Sequence, residues 1–396
     1  MHGFYYTVYM ITRSIQKELL VCAKEYPAVT ILGPRQSGKT TLAKMAFPAH
    51  SYCSLEDPDT RMQAQNDPRG FLGNFTGGAI LDEIQRVPQL LSYLQGIIDE
   101  SPKPGRFILT GSHQPQVHHA VSQSLAGRTA VLELLPFSLD EVGQYKIKAD
   151  SPFEVIIKGF YPGLHENNLR PGRFFGSYVA TYVERDIRTL INLTDLTRFE
   201  EFLRLLAGRI GQLVNYSSLA GDVGVSSTTI KNWISVLKAS YILFELPPYF
   251  ANIRKRVMKS SKLYFVDVGL AAWLLGLKEE SQVQHDPLRG SLYENMLILE
   301  VVKKILNQGQ QVNLHFYRDS KGNEVDLLIS GARSFTAVEI KSGQTFQPEY
   351  ICGIENFKKT IPSEFKVDSL VWYNGQKQTV YKDAKICNPL IHGFSW

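Results

Sequence analysis

Short apolar runs alternate with longer stretches of helical periodicity over the first 140 residues of the chain. The apolar runs occupy residues 28–32, 79–81, 107–109 and 130–134. Strands that are apolar at nearly every position, and that are separated by helices, are typical of a parallel sheet covered on both faces. We therefore expect residues 1–150 to form an α/β unit around such a sheet.

The pattern becomes mostly helical after residue 151. After a turn at residues 222–226, apolar residues recur at the three- and four-residue spacings of a half-buried helix; they are Ile230, Trp233, Ile234 and Leu237. Ser226 and Ser227 can cap this helix. With strands expected at residues 241–246 and 263–266, the pattern predicts a helix–turn–helix followed by a wing. We expect residues 151–277 to form this helical and winged-helix unit.

The last part of the chain changes pattern again. Residues 278–287 are polar and are expected to form a linker. A helix is then predicted at residues 291–306, strands at 314–318, 324–329 and 335–341, a helix at 349–358 and a strand at 370–373. This α-β-β-β-α-β order resembles the core of the PD-(D/E)XK nucleases. Residues 288–396 are therefore expected to form an α/β restriction-endonuclease-like domain.

Composition narrows the class of protein. The chain has 396 residues, of which 44% are hydrophobic and 20% charged, which excludes a disordered, collagen-like or coiled-coil protein. Its apolar runs are too short to cross a bilayer, so no membrane partner is expected. The four cysteines are far apart and indicate neither disulfides nor a zinc site. Residues 1–10 lack the order of a signal peptide, so the expected location is the cytoplasm.

A phosphate-binding motif follows the first apolar run. The sequence GPRQSGKT fits G-x-x-x-x-G-K-[ST] and opens a helix. Two glycines let backbone N–H groups point at phosphate oxygens, the lysine reaches the β- and γ-phosphates, and the threonine hydroxyl ligates Mg²⁺. ATP and Mg²⁺ are thus the expected ligands. The expected nucleotide-binding residues are Gly33, Pro34, Arg35, Gln36, Ser37, Gly38, Lys39, Thr40 and Thr41.

Two acids at the end of the second apolar run support this site. Asp82 stands where a P-loop enzyme needs a carboxylate to hold Mg²⁺, and Glu83 is a candidate general base for the attacking water. A solvated strand end is the structural alternative.

Three further residues are candidates for contact with the γ-phosphate region. Thr110 or Ser112, at the end of the third run, is a candidate sensor of the γ-phosphate, although such strands often end in hydroxyl-rich turns. Arg128 is a candidate arginine finger, acting within its own subunit or on a neighbour, or else a solvated surface residue.

Charged residues share one face of two strands in the last unit. Side chains alternate across a strand, so Asp326 on one strand and Glu339 and Lys341 on the next oppose apolar faces. Twelve residues separate Asp326 from Glu339, the D…E-x-K spacing of metal-dependent phosphodiester cleavage, in which carboxylates hold Mg²⁺ and the lysine positions the nucleophile. Glu294 resembles an additional helix acid of such nucleases. A surface hairpin with paired charges is the structural alternative.

The runs GPRQSGKTTLAK, LDEIQRVPQLL, RFILTGSHQ and SLAGRTAVLELLPFSLDEV resemble the AAA-type P-loop ATPases known as ATP-binding proteins. These proteins carry a C-terminal domain of unknown function related to restriction-endonuclease-like folds. The resemblance covers residues 10–343, which leaves Met1 or Met10 as the start of translation. It also includes Glu184, Arg185 and Asp186, which we interpret as a tie between the helical unit and the ATPase core.

The chain's net charge of +5 permits contact with nucleic acid without requiring it. The more basic residues near the wing could contact phosphates or could be solvated around a winged helix that only packs; they are Arg254, Lys255, Arg256, Lys259 and Lys262.

Three functions remain open. The chain is an ATPase whose nucleotide state controls the winged-helix and nuclease-like regions, an ATP-gated DNA nuclease of defence or repair, or a non-cleaving nucleotide switch. Such a switch would bind a protein or a nucleic acid, the protein through the C-terminal region.

Overall fold

A five-stranded parallel sheet forms the centre of the first unit. The computed structural model describes residues 11–112, 124–143, 151–183, 195–249 and 260–396. The strand order is β2-β3-β4-β1-β5, with every neighbouring pair parallel. The strands are β1 (Ala28–Gly33), β2 (Ser51–Ser54), β3 (Ala79–Asp82), β4 (Phe107–Ser112) and β5 (Thr129–Glu133). The predicted parallel sheet is confirmed; only β2, a short strand with two exposed residues, was not predicted.

Helices cover both faces of this sheet. Alternate residues of β1 belong to two different apolar clusters, Val29 and Ile31 to one and Ala28 and Leu32 to the other, because successive side chains of a strand point to opposite faces. A 3-10 turn follows β3 at Ile84–Arg86. The helices are α1 (Gln16–Glu25), α2 (Lys39–Ala46), α3 (Pro58–Asn66), α4 (Pro68–Gly73), α5 (Leu90–Glu100) and α6 (Leu139–Gly143).

The middle unit is mostly helical, as expected. Its helices are α7 (Pro152–Lys158), α8 (Pro162–Glu166), α9 (Pro171–Tyr178), α10 (Leu196–Ala207), α11 (Tyr216–Val223), α12 (Ser227–Ala239) and α13 (Val268–Leu274), with a π-helical turn at Val179–Val183 after α9. Two antiparallel strands, β6 (Leu243–Leu246) and β7 (Lys262–Phe265), lie between α12 and α13.

Helices α11 and α12 flank the turn at which the sequence predicts a helix–turn–helix. Gly224 adopts a left-handed conformation at the end of α11, and Ser226 caps α12 by accepting a hydrogen bond from the backbone of Thr229. The residues 184–186 and the basic residues 254–256 and 259 lie outside the described residues.

The stretch expected to be a linker contains a helix. Residues Glu280–His285 form α14, and the side chain of Gln282 accepts hydrogen bonds from the backbone N–H groups of Lys278 and Glu279, at 2.7 and 3.1 Å. Val283 is buried. The linker prediction was therefore wrong. The segment is polar because its helix buries a single apolar side chain, Val283.

The third unit contains a six-stranded mixed sheet of order β12-β13-β11-β10-β9-β8. The pairs β8–β9, β9–β10 and β12–β13 are antiparallel, whereas the pairs β10–β11 and β11–β13 are parallel. The elements are α15 (Arg289–Leu306), β8 (Leu314–Arg318), β9 (Glu324–Ser330), β10 (Ser334–Lys341), a 3-10 turn (Pro348–Ile351), α16 (Cys352–Thr360), β11 (Lys366–Tyr373), β12 (Thr379–Tyr381), β13 (Ala384–Cys387) and α17 (Pro389–His392). The predicted α-β-β-β-α-β order is found, and β12, β13 and α17 extend it.

Helix α15 joins the middle and last units. Twelve of its 18 residues are buried, and the nine apolar ones belong to one cluster that includes residues of the helical unit and of the last sheet. The same cluster contains Leu135 and Phe137, which follow β5 of the first unit. Helix α15 therefore shares one apolar core with parts of all three units. Among the residues that the structure describes, none of the helices is long and apolar enough to cross a membrane.

Asp267 holds the junction between α7 and α13. Its buried carboxylate accepts hydrogen bonds from the backbone N–H groups of Phe160, Gly269 and Leu270, at 2.7, 2.9 and 3.2 Å. We expect Asp267→Ala to lower the free energy of unfolding by about 3 kcal/mol, because three buried donors lose their acceptor. Chemical denaturation measures this loss.

A cap in an exposed position provides the control for Asp267. Asp195 accepts one hydrogen bond from the backbone of Arg198 at the start of α10, and its side chain is 49% exposed. Asp195→Ala is expected to cost about 1 kcal/mol. Equal losses in the two variants would contradict the role given to Asp267.

Candidate functional site

The phosphate-binding motif forms a loop between β1 and α2. A Cβ atom on Gly33 would lie 2.1 Å from the carbonyl oxygen of Leu134, so the close approach of the two chains requires glycine there. Gly38, the residue before α2, has a φ of +91°, a conformation that L side chains rarely adopt. The two glycines of the motif are thus required by the backbone path, and the loop ends at the N-terminus of a helix.

Lys39 lies across this loop. Its side chain is buried, and its ammonium group donates hydrogen bonds to the carbonyl oxygens of Gly33 and Pro34, at 3.1 and 2.7 Å. Burial lowers the pKa of Lys39 to about 8, against the opposing effect of the nearby carboxylates of Glu83 and Asp82. The structure therefore places the Lys39 side chain against the loop that precedes it.

Three hydroxyl groups surround the carboxylate of Asp82 at the end of β3. Thr40 Oγ1 donates to Oδ1 and Oδ2 at 2.9 and 3.0 Å, Tyr52 Oη donates to Oδ2 at 2.9 Å, and the Thr110 hydroxyl donates to Oδ1. Burial, with the hydrogen bond to Asp82, raises the pKa of Tyr52 to about 12. A threonine hydroxyl beside a carboxylate is the hard-oxygen donor set that Mg²⁺ prefers, so the residues present fit this ion.

Glu83 follows in a strained conformation. Its φ of 59° and ψ of 48° lie in the left-handed region, which is uncommon for a residue other than glycine. Its carboxylate accepts a hydrogen bond from the side-chain amide of Gln85, which also donates to Ser112 Oγ at 2.8 Å. The backbone N–H of Glu83 donates to Thr110 Oγ1 at 3.3 Å. The structure thus holds both the backbone and the carboxylate of Glu83 in place.

Two of these neighbours are the candidate sensors of the γ-phosphate. In the structure Thr110 donates to Asp82, and Ser112 accepts from Gln85. Neither Tyr52 nor Gln85 was singled out from the sequence, since neither belongs to a spaced motif.

Arg128 lies at the other end of the sheet. Thr129, the next residue, pairs with Ala28 at the start of β1, whereas the phosphate-binding loop follows the end of β1, about 17 Å further along the strand. Its guanidinium group donates to the carboxylate of Asp99, at 2.5 and 2.9 Å, on the surface. The structure therefore does not bring Arg128 to the nucleotide loop of its own chain, and the arginine-finger role within one subunit is not supported.

The charged residues predicted in the last unit do come together. Lys341 Nζ lies 2.5 Å from Glu339 Oε1 and 3.7 Å from Asp326 Oδ2, and the backbone N–H of Ile340 donates to Asp326 at 2.8 Å. Burial, with the charge of Asp326, raises the pKa of Glu339 to about 8. Burial also raises the pKa of Glu294 to about 7, against the opposing charge of Lys262. We use the name carboxylate cluster for Glu294, Asp326 and Glu339 together with Lys262 and Lys341.

Lys262 is not available to phosphates. This residue of β7 is buried, and its ammonium group lies 2.5 Å from Glu324 Oε1 and 3.2 Å from Glu294 Oε1. Although burial alone lowers it, the surrounding carboxylates raise the pKa of Lys262. Tyr264, on the same face of β7, donates to Glu294 at 2.5 Å. The expectation that Lys262 contacts phosphates was therefore wrong, because it is an internal ion-pair partner.

The carboxylate cluster does not fit a metal ion in this arrangement. Throughout the described ranges, no group of three His, Cys, Asp or Glu side chains is arranged to hold one. Magnesium was expected at Asp326, Glu339 and Glu294. Lys262 and Lys341 instead neutralise these carboxylates.

Three family models match parts of the chain. Residues 25–143 match the model described as an AAA domain. Residues 150–281 and 289–391 match two models described as domains of unknown function, DUF8612 and DUF4143. The parallel sheet, with the loop at the end of β1, has the P-loop NTPase fold, in agreement with the match of residues 25–143 to the AAA domain model.

Similar proteins include several uncharacterized ones. One from Mycobacterium tuberculosis is 29% identical over 323 residues, which cover 81% of this chain and 71% of that protein, and one from Mycobacterium bovis gives the same figures. One from Methanocaldococcus jannaschii is 26% identical over 199 residues, which cover 48% of this chain and 40% of that protein.

Solved structures give weaker similarities. The Walker-type ATPase of Pyrococcus abyssi has a TM-score of 0.44 and 16% identity, covering 67% of this chain and 96% of its own. A signal transduction ATPase with numerous domains and a tetratricopeptide repeat sensor, from Pyrococcus horikoshii, has a TM-score of 0.28 and 14% identity, covering 75% of this chain and 47% of its own.

Proposed function

We propose that the chain is an ATPase that binds ATP with Mg²⁺ at the loop between β1 and α2. The observation that carries this proposal is the hydrogen bond between Thr40 Oγ1 and the Asp82 carboxylate, next to the buried ammonium group of Lys39. These three groups come from the loop, from α2 and from the end of β3, and together they offer a cation and hard-oxygen donors to a triphosphate.

Each residue then has a distinct task. The backbone N–H groups of residues 35–40 and the Lys39 ammonium bind the phosphates, while Thr40 and Asp82 would hold Mg²⁺. The ion, when bound, would neutralise charge on the phosphate oxygens. Glu83 accepts a proton from the attacking water, and the hydrogen bond from Gln85 fixes the orientation of its carboxylate.

Nucleotide binding is the direct test of this proposal. Calorimetry with ATP, GTP and ADP, each with and without Mg²⁺, is expected to show binding of ATP that EDTA weakens, and a phosphate-release assay is expected to show hydrolysis. If neither ATP nor GTP binds to the purified protein, the proposal is wrong. If GTP binds more tightly than ATP, the site assignment stands but the named nucleotide is wrong.

The second proposal concerns the carboxylate cluster. The element order of the last unit and the convergence of Glu294, Asp326, Glu339 and Lys341 support a restriction-endonuclease-like domain that contacts nucleic acid. The buried Lys262 opposes cleavage in this arrangement, because it supplies positive charge among the carboxylates. We therefore propose a nucleotide-controlled unit that binds a DNA or protein partner, and we keep DNA cleavage as the alternative.

Removal of the Lys262 charge tests whether this lysine keeps metal ions from the carboxylate cluster. Lys262→Met is expected to raise the affinity of the carboxylate cluster for Mn²⁺ at least about tenfold, because the carboxylates lose a buried counter-charge. Electron paramagnetic resonance of Mn²⁺ measures this affinity in the absence of nucleotide. The added Mn²⁺ binding should disappear in Lys262→Met with Asp326→Asn.

Lys304→Met is the matched control for Lys262. Lys304 pairs with Asp140, away from the carboxylate cluster, and its loss should leave Mn²⁺ binding unchanged. Labelled DNA incubated with the wild-type protein, Mg²⁺ and ATP should remain intact. Nicking that Asp326→Ala and Lys341→Ala abolish would instead support the nuclease alternative.

A further inference from the structure

Arg13 makes three hydrogen bonds to separate parts of the first unit. Its buried guanidinium group donates to the carbonyl oxygen of Ser37 at 2.6 Å, to that of Leu135 at 2.7 Å and to Glu141 Oε1 at 3.1 Å. These partners lie 24, 122 and 128 positions away in the sequence. Ser37 belongs to the nucleotide loop, so one buried cation connects that loop to the chain that follows β5.

Glu141 holds the guanidinium group in place. Its buried carboxylate also accepts hydrogen bonds from the backbone N–H groups of Ser14 at 2.6 Å and Ser138 at 2.8 Å. Separating the two members of a buried ion pair would leave both charges uncompensated, so Arg13 and Glu141 are expected to move together. The guanidinium carbon of Arg13 also lies 4.8 Å from the ring centre of Phe137. Arg13 therefore cannot follow a movement of Ser37 without disturbing residues 137–141.

Helix α15 binds the same segment from its other side. Lys303 Nζ donates to the carbonyl oxygen of Phe137 at 2.8 Å, and Glu300 Oε2 accepts from the backbone N–H of Leu139 at 3.0 Å. Both side chains are buried. Glu294 of the carboxylate cluster lies six positions before Glu300 on this helix, about 9 Å along its axis. A continuous set of polar contacts thus runs from the nucleotide loop to the last unit.

We infer that Arg13 is a positioning residue for the nucleotide loop and that it couples the nucleotide state of this loop to α15 through Glu141. The inference rests on the proposed binding of ATP. By fixing the Ser37 carbonyl, Arg13 orients the peptide that leads into Gly38 and thus the N–H groups that face the phosphates. A change of this peptide on nucleotide binding displaces Arg13, and residues 137–141 transmit the displacement to Glu300 and Lys303.

Arg13→Gln is the first test of this coupling. ATP affinity, measured by calorimetry, is expected to fall about tenfold, since one charged hydrogen bond to the loop is lost. Hydrogen exchange in the wild-type protein should show that ATP changes the protection of residues 137–143 and 296–306. The variant should lose this change in residues 296–306. Arg13→Lys should restore part of the affinity, because it keeps the charge but not all three hydrogen bonds.

A double-variant cycle separates positioning from a purely structural role. Glu141→Gln is expected to weaken ATP binding by a similar factor, and Arg13→Gln with Glu141→Gln should bind no more weakly than either single variant. Lys24→Met, at an exposed position in the last turn of α1, is the control and should behave as the wild type.

Two results would overturn the inference while leaving the proposed function intact. One is that Arg13→Gln has a lower melting temperature but binds ATP with wild-type affinity when the measurement is made well below that temperature. The other is an unchanged effect of ATP on the exchange of residues 296–306 in this variant. If the wild-type protein binds no ATP, the proposed function fails first and this inference fails with it.

Discussion

Lys39→Ala is expected to reduce ATP hydrolysis by about a hundredfold to a thousandfold and to weaken ATP binding as well. The ammonium group of Lys39 is buried across the nucleotide loop, where its charge is poorly screened by water. Alanine removes both this charge and its hydrogen-bond donors. Steady-state phosphate release measures the loss of turnover, and calorimetry measures the loss of affinity.

A second lysine controls for the loss of one positive charge. Lys24 lies in the last turn of α1 and is exposed, so Lys24→Ala changes the net charge by the same amount without touching the loop. This variant should retain wild-type turnover. If Lys39→Ala hydrolyses ATP at the wild-type rate, the assignment of the nucleotide site is wrong.

Much of the nucleotide site could be predicted from the sequence because it depends on short-range patterns. The loop motif is local, and strands β1, β3 and β4 are fully buried, so their apolar runs stand out. The carboxyl ends of parallel strands meet at one edge of a sheet. The approach of Thr40 to Asp82 follows from these two facts, and the structure shows it.

Residues that join the site from a distance could not be predicted. Arg13 contacts the loop only because α1, β5 and α6 pack together, and no spacing in the sequence records that packing. Tyr52 lies on β2, a strand too short and too exposed to be recognised. Such contacts depend on the tertiary fold, which a motif of eight residues does not encode.

In the carboxylate cluster, the sequence predicted some of the contacts and missed those that depend on the tertiary fold. The alternation of β9 and β10 correctly grouped Asp326, Glu339 and Lys341. Lys262 was predicted to be a surface cation because it follows a basic run. Its partners Glu294 and Glu324 lie 32 and 62 positions away on α15 and β9, and the docking of β7 against these elements makes Lys262 an internal charge. A lysine's type and neighbours in sequence therefore do not fix its burial.

Glu83→Gln is expected to reduce ATP hydrolysis about a hundredfold to ten-thousandfold while leaving ATP binding close to that of the wild type. Glutamine has nearly the same shape and keeps an oxygen that can accept the hydrogen bond from Gln85, but it cannot take a proton from water. Because Lys39, Thr40 and Asp82 are untouched, the phosphates and Mg²⁺ should still be bound. Single-turnover phosphate release and calorimetry measure the two quantities on the same protein.

The contrast between variants makes this prediction specific to catalysis. Glu100→Gln, at the exposed end of α5, removes a carboxylate elsewhere in the same domain and should hydrolyse ATP normally. Lys39→Ala should lose affinity and turnover together, whereas Glu83→Gln should lose turnover alone. If Glu83→Gln hydrolyses ATP at the wild-type rate, another group activates the water. In that case the left-handed backbone of Glu83 serves only to hold Asp82 and Thr110 at the strand ends.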